Sequence, residues 1–136
     1  MNAMQDYDLS PELTIGHAEH RLLAVLALTG QGHSAEDADF LLWELDRAKL
    51  VPDDQLPQDV VRVGSRVRYR DPQGEHTAQL TYPDDRSALR QGVSVLSPLG
   101  TALIGLRKGQ SMSWTESSGM RRYLTLLEVL DTGNPL

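Results

Sequence analysis

Between Gly16 and Leu28 the chain runs HAEHRLLAVLAL, helix formers throughout, with Ala18, Leu22, Val25 and Thr29 at alternating four- and three-residue steps. That spacing predicts a helix starting near Gly16 with a narrow heptad-like seam. A start at Pro11 would bury Gly16 inside the helix at about 1 kcal/mol, so Pro11 to Ile15 is expected to be extended. Thr29-Gly30-Gln31-Gly32-His33 breaks the pattern, since two glycines within three residues stop a helix and supply turn conformations. Ser34, with Asp37 three residues on, reads as an N-cap, and Ala38, Leu41, Leu45 and Ala48 then repeat the heptad steps over Ala35 to Leu50. The connection is short, so the two helices form an antiparallel hairpin, a coiled coil in miniature, each arm about 22 Å long.

Val51 to Pro57 carries two prolines and two acids without periodicity and reads as a linker. Beyond it the period changes to two. Val63, Val67 and Tyr69 interleave with Arg66, Arg68 and Arg70, which puts apolar side chains on one face of a strand and arginines on the other. Asp71 to Gly74 is a turn, His76 to Tyr82 the return strand and Gly92 to Leu96 a third. Ser97-Pro98 offers a cap and a first-turn proline for a short helix from Leu99 to Leu106, closed by Lys108-Gly109. Ser111 to Thr115 and Arg122 to Leu130 are the last strands, joined at Ser117-Ser118-Gly119. The fold class is therefore α+β, with a helical hairpin in residues 1–52 and, in residues 53–136, a curved antiparallel sheet of about five strands covered by one helix.

The 136 residues contain no cysteine, which excludes disulfides, thiolate metal sites and Cys nucleophiles and leaves the cytoplasm as the expected compartment. The longest apolar run, Leu22 to Leu28, is far too short to span a bilayer, and the polar start Met1 to Asp8 lacks an export signal. No membrane association is expected. The net charge of −6 argues against sequence-specific nucleic-acid binding. Its distribution is uneven: residues 1–58 hold 11 acids and 3 bases, the remainder 8 acids and 10 bases. Either these are ordinary solvated faces, or the acidic part enters a basic cavity of a partner while the other part docks separately.

Candidate chemistry is sparse. His17 and His20, with Glu19 between, are spaced for a shared metal on one helix, yet no third ligand stands nearby. No glycine has the setting of a phosphate-binding loop, and Ser97 is a helix cap rather than a nucleophile paired with His76. Glu36, Asp37 and Asp39 lie just behind the hairpin tip formed by Gln31 and His33. Such acids complement a helix dipole, or could hold Mg²⁺ in a partner's active site. No catalytic residue, resident metal or cofactor is assigned.

The stretch Val93 to Gln110, SVLSPLGTALIG followed by a Gly-Gln turn, resembles the C-terminal domain of the bacterial Gre transcript-cleavage factors. Glu44 to Ala48, Leu56 to Val61, Ser65 to Val67 and Leu80 to Pro83 are similar to the narrower group of regulators of nucleoside diphosphate kinase (Rnk). The resemblance implies an FKBP-like C-terminal domain and binding to RNA polymerase at its secondary channel. It places the docking motif on Ser94, Ser97, Pro98, Leu103, Ile104 and Gly105, with Glu36, Asp37 and Asp39 facing the channel. Gre factors carry two acids at the tip of a long hairpin that bind the catalytic Mg²⁺; here the tip has none, and Asp39 lies where an Rnk-type acid falls. The expected function is a non-enzymatic transcription regulator that competes with Gre factors without cleaving transcripts. Direct binding to nucleoside diphosphate kinase is an alternative. A prolyl isomerase is a weaker one, because such pockets are rich in aromatic residues and this part offers Tyr69, Tyr82, Trp114 and Tyr123.

Overall fold

The computed structural model describes residues 11–29, 34–83, 92–116 and 118–131. Strand β1 (Thr14–Gly16) leads directly into helix α1 (His17–Thr29), and the chain returns through α2 (Ala35–Asp46) into β2 (Lys49–Val51). The extended start before Gly16 agrees with the cost of a helical glycine, and Ser34 caps α2 by accepting the Asp37 N–H at 3.0 Å. The second helix ends four residues before the expected Leu50. The Lys49 N–H donates to the Leu13 carbonyl at 2.8 Å, and β2 pairs in parallel with β1, so these backbone groups are bonded to a strand rather than to a helix.

The expected linker is also structured. Asp53 opens a 3₁₀ turn (Asp53–Gln55), and its Oδ1 accepts the Ala18 N–H at 2.7 Å, satisfying one of the free donors at the start of α1. A Cβ on Gly16 would collide with that carboxylate, so the glycine serves the close approach as well as the helix boundary.

Strands β3 (Arg66–Asp71), β4 (Gly74–Thr81), β5 (Gly92–Ser94), β6 (Ser111–Thr115) and β7 (Arg121–Asp131) form one sheet in the order β5-β4-β3-β7-β6. Register shifts between β3 and β7 curl it. The expectation of an antiparallel sheet needs correction at one edge: β5 runs parallel to β4, with Leu80 opposite Val93. Parallel neighbours cannot be joined by a tight hairpin, so the turn expected between these two strands does not set their direction. Helix α3 (Pro98–Leu103) is shorter than expected. Ile104 is extended and Gly105 adopts φ +81°, freeing the Gly105 N–H for the Val61 carbonyl at 2.9 Å.

Leu13, Ile15, Leu23, Leu41 and Leu45 from the N-terminal part and Val67, Leu80, Leu103, Ile104 and Leu124 from the C-terminal part are buried in one apolar cluster. The expected seam of α1 is out of phase with it. Ala18, Leu22, Val25 and Thr29 are exposed, and the buried side chains are Glu19, Leu23 and Ala27. Because α1 is apolar around most of its circumference, periodicity alone does not choose the face. Tertiary contacts choose it, with the Glu19 carboxylate accepting the Val63 N–H at 3.1 Å. Buried Glu44 accepts from Arg47, whose Nη1 also donates to the Pro11 carbonyl at 2.8 Å. Burial raises both carboxyl pKa values above the ordinary glutamate 4.5, opposed by the Val63 N–H and Arg62 at Glu19 and by Arg47 at Glu44.

Two outcomes follow for stability. Leu13→Ala empties a fully buried site shared by both parts and should cost about 2–5 kcal/mol, read by denaturant unfolding. Glu19 binds its proton more tightly folded than unfolded, so its contribution to stability falls as pH rises from 4.5 through the raised value. Glu19→Gln keeps an acceptor for the Val63 N–H without the charge. Its stability relative to the parent should therefore grow with pH across that window and then level off; a flat difference from about pH 5 to pH 8 would contradict the assignment.

Candidate functional site

The acids behind the hairpin tip sit at the N-terminal end of α2. Glu36 and Asp39 are exposed and Asp37 half-buried, and this end of the helix has the positive pole that favours carboxylates. Gln31 and His33 lie outside the described residues. α2 does not stand clear of the sheet: Phe40 stacks on Trp114 of β6 with ring centroids 6.4 Å apart, and Leu41 and Leu45 enter the core. Glu36 and Asp37, but not Asp39, therefore border a hollow of about 550 Å³, bounded also by Ser34, Phe40, Pro98, Trp114 and Thr115.

The residues of the Ser94–Gly105 motif have mostly internal tasks. The Ser94 carbonyl accepts from both the Ser97 N–H and its hydroxyl, and Ser97 Oγ accepts the Gly100 N–H at 3.1 Å, which caps α3. A Cβ at Gly100 would run into the Ser94 carbonyl, so this tight corner requires glycine. Leu103 and Ile104 are wholly buried, and Gly105 is buried where a Cβ would crowd Leu13 and Ile15. Those three offer no contact surface of their own. What the corner does is bring Pro98 to the edge of that hollow and Leu99 to the rim of a second cleft.

That cleft, about 250 Å³, is lined by Tyr69, Asp71, Leu99, Trp114, Arg122 and Tyr123 among others. β6–β7 pairing sets Trp114 opposite Arg122, and alternation puts both on the sheet face that carries Met112 and Leu124. Arg122 Nε reaches Glu116 at 3.1 Å, which fixes one wall. Asp71 accepts from His76 Nε2 and the Gln73 N–H, each at 2.9 Å. Burial works against its charge, but those hydrogen bonds prevail and hold its carboxyl below the ordinary value. Burial raises the Tyr69 hydroxyl, which stays neutral at working pH. Trp114 Nε1 is buried and has no hydrogen-bond partner among the described residues, so its N–H is left uncompensated inside the fold.

Other candidates do not converge. His20 is engaged with the Leu45 carbonyl at 3.0 Å, Glu19 with Val63, and among the described residues no group of three metal-ligating side chains forms. Among those residues no helix is long and apolar enough to cross a membrane. Three of the four aromatic residues of the C-terminal part, Tyr69, Trp114 and Tyr123, meet in the cleft. Their count in the sequence concealed this; the signal available was the period-two phase that puts Trp114 and Tyr69 on the inner sheet face.

Residues 56–131 match the family described as "Transcription elongation factor, GreA/GreB, C-term". The chain is 39% identical over 94 residues to the Regulator of nucleoside diphosphate kinase of Escherichia coli K12, covering 68% of this chain and 69% of that one. It is 28% identical over 109 residues to Transcription elongation factor GreA of Azorhizobium caulinodans, with 79% and 67% of the two chains covered. A solved prokaryotic transcription elongation factor GreA/GreB from Nitrosomonas europaea superimposes with a TM-score of 0.66 at 30% identity, over 88% of this chain and 98% of that one. With the match running through the cleft and its supporting corner, the chain belongs to the GreA/GreB family of transcription elongation factors.

Proposed function

We propose that this protein is a regulator that binds RNA polymerase at the secondary channel and competes there with Gre factors, without cleaving transcripts itself. The observation that carries this reading is the family match over residues 56–131, which includes Leu99, Trp114, Arg122 and Tyr123 of the aromatic cleft. In this reading the C-terminal part is an FKBP-like domain that docks through the surface supported by Ser94, Ser97, Pro98, Leu103, Ile104 and Gly105. The helix pair is a short coiled coil that enters the channel.

Reach separates occupancy from catalysis. A carboxylate must come within about 2.1 Å of a Mg²⁺ ion to hold it, so a hairpin that stops short contributes nothing to the metal site. α1 has 13 residues and is about 20 Å long. Glu36, Asp37 and Asp39 sit on a helix held against β6 by the Phe40–Trp114 stack, which supports a blocking role rather than a metal-binding one. The acid-rich first 58 residues suit a channel lined with positive charge.

A second reading comes from the name of the 39% identical relative: direct regulation of nucleoside diphosphate kinase by binding. Capture by the purified kinase with no binding to purified core polymerase would favour it.

Saturating protein should suppress Gre-stimulated cleavage. Tyr123→Ala, at a half-exposed wall of the cleft, should weaken polymerase binding about tenfold. Glu36→Ala, Asp37→Ala and Asp39→Ala should leave docking within about twofold. Undiminished Gre activity at saturation would exclude a shared site. In a backtracked elongation complex the protein alone should release no short 3′ RNA, and rapid release abolished by Asp39→Ala would make it a cleavage factor.

A further inference from the structure

The cleft lined by Tyr69, Leu99 and Leu124 also carries Arg122, whose side chain is 46% exposed. Arg122 uses one donor internally, Nε on the Glu116 carboxylate at 3.1 Å, and its two Nη atoms have no partner among the described residues. Arg121 is held against β6 by the hydroxyls of Thr115 and Ser113, at 2.8 and 3.1 Å. The other acid of the lining, Asp71, is already engaged by His76 and the Gln73 N–H. Met120 and Tyr123 flank the two arginines and are 52% and 45% exposed. Tyrosine, tryptophan, methionine and arginine gathered in this way are the composition of a protein-contact site rather than of ordinary solvated surface.

Resting on the polymerase-binding reading above, we propose that this cleft receives a polymerase segment in which an apolar side chain stands beside a carboxylate. The apolar side chain enters among Tyr69, Leu99 and Leu124, and the carboxylate takes two parallel N–H bonds from the Arg122 fork. Size favours a side chain over a small molecule: at about 250 Å³ the cleft is smaller than the ~300–1,000 Å³ usual for drug-sized ligands. Charge selects the polar group. The open valence is a planar N–H fork, which matches a carboxylate, whereas both carboxylates of the lining already have donors. A nucleic-acid strand would need cations spaced along its phosphates, and here the two arginines are adjacent residues. The acid-rich hairpin part and the arginine fork seek opposite charges on one partner, which fixes the sense in which the molecule docks.

Equilibrium binding of the full chain to purified core RNA polymerase tests this. Arg122→Gln should raise Kd about tenfold, and Arg122→Lys, which keeps the charge without the fork, should recover only part of that loss. Glu116→Gln keeps an acceptor for Nε and removes a competing carboxylate, so it should lower Kd about twofold. Leu99→Asp and Leu99→Asn differ in charge at nearly equal size, and an acid in the first turn of α3 does not harm the helix. Their circular dichroism and unfolding midpoints should therefore agree, while the aspartate variant binds about fivefold more weakly. Arg122→Gln without effect, Glu116→Gln as damaging as Arg122→Gln, or Leu99→Asp binding no worse than Leu99→Asn would each overturn the proposal and leave polymerase binding standing. A chain that does not bind core polymerase at all would remove that reading, and the proposal with it.

Discussion

Everything that positions the hairpin depends on backbone approaching backbone at Gly105. Its carbonyl accepts the Thr14 N–H at 3.2 Å, its own N–H donates to Val61, and a Cβ there would stand 3.0 Å from that of Leu13. With φ at +81° the position is both conformationally and sterically suited to glycine. Through this contact β1 lies on the loop after α3, and β1 in turn fixes the start of α1 and, by its pairing with β2, the exit from α2.

The polar groups at the same junction restrict its geometry further. Glu19 and Glu44 are buried carboxylates whose desolvation is costly, and each is tolerated because it has a specific donor: the Val63 N–H for one, the Arg47 guanidinium for the other. A hydrophobic interface alone would let the helices slide or rotate. These pairings admit one phase of α1 and one of α2, which is why Leu23 is buried and Leu22 is not.

Local chemistry made the elements legible in the sequence. Ser34 and Ser97 cap the helices assigned to them, Gly74 turns β3 into β4, and the alternation around Val67 and Tyr69 marks a half-buried strand. Long-range choices were not legible in the same way. The phase of α1 was ambiguous because Leu22, Val25 and Leu28 compete with Leu23 and Leu26 at the same period, and the parallel pairing of β5 leaves no periodic mark. The candidate site divides along the same line. The Ser94–Gly105 motif was visible as a string of residues, but its role in holding a rim appears only when Gly100 is seen against the Ser94 carbonyl. The cleft draws on residues from Tyr69 to Leu124, more than fifty positions apart in the chain.

The Thr14–Gly105 contact also orders events at the ribosome. β1 and the loop that receives it are separated by 90 residues of chain, so this contact closes only after β2, β3 and β4 have been made. During that interval Leu13 and Ile15 can lie on β2 and the second helix, and β3 and β4 can pair through their short turn, but the Gly105 side of the junction is still missing. The seat of the N-terminal strand is therefore completed late, and a nascent chain arrested before residue 105 would carry a preformed sheet hairpin and a β1 held by β2 on one side alone.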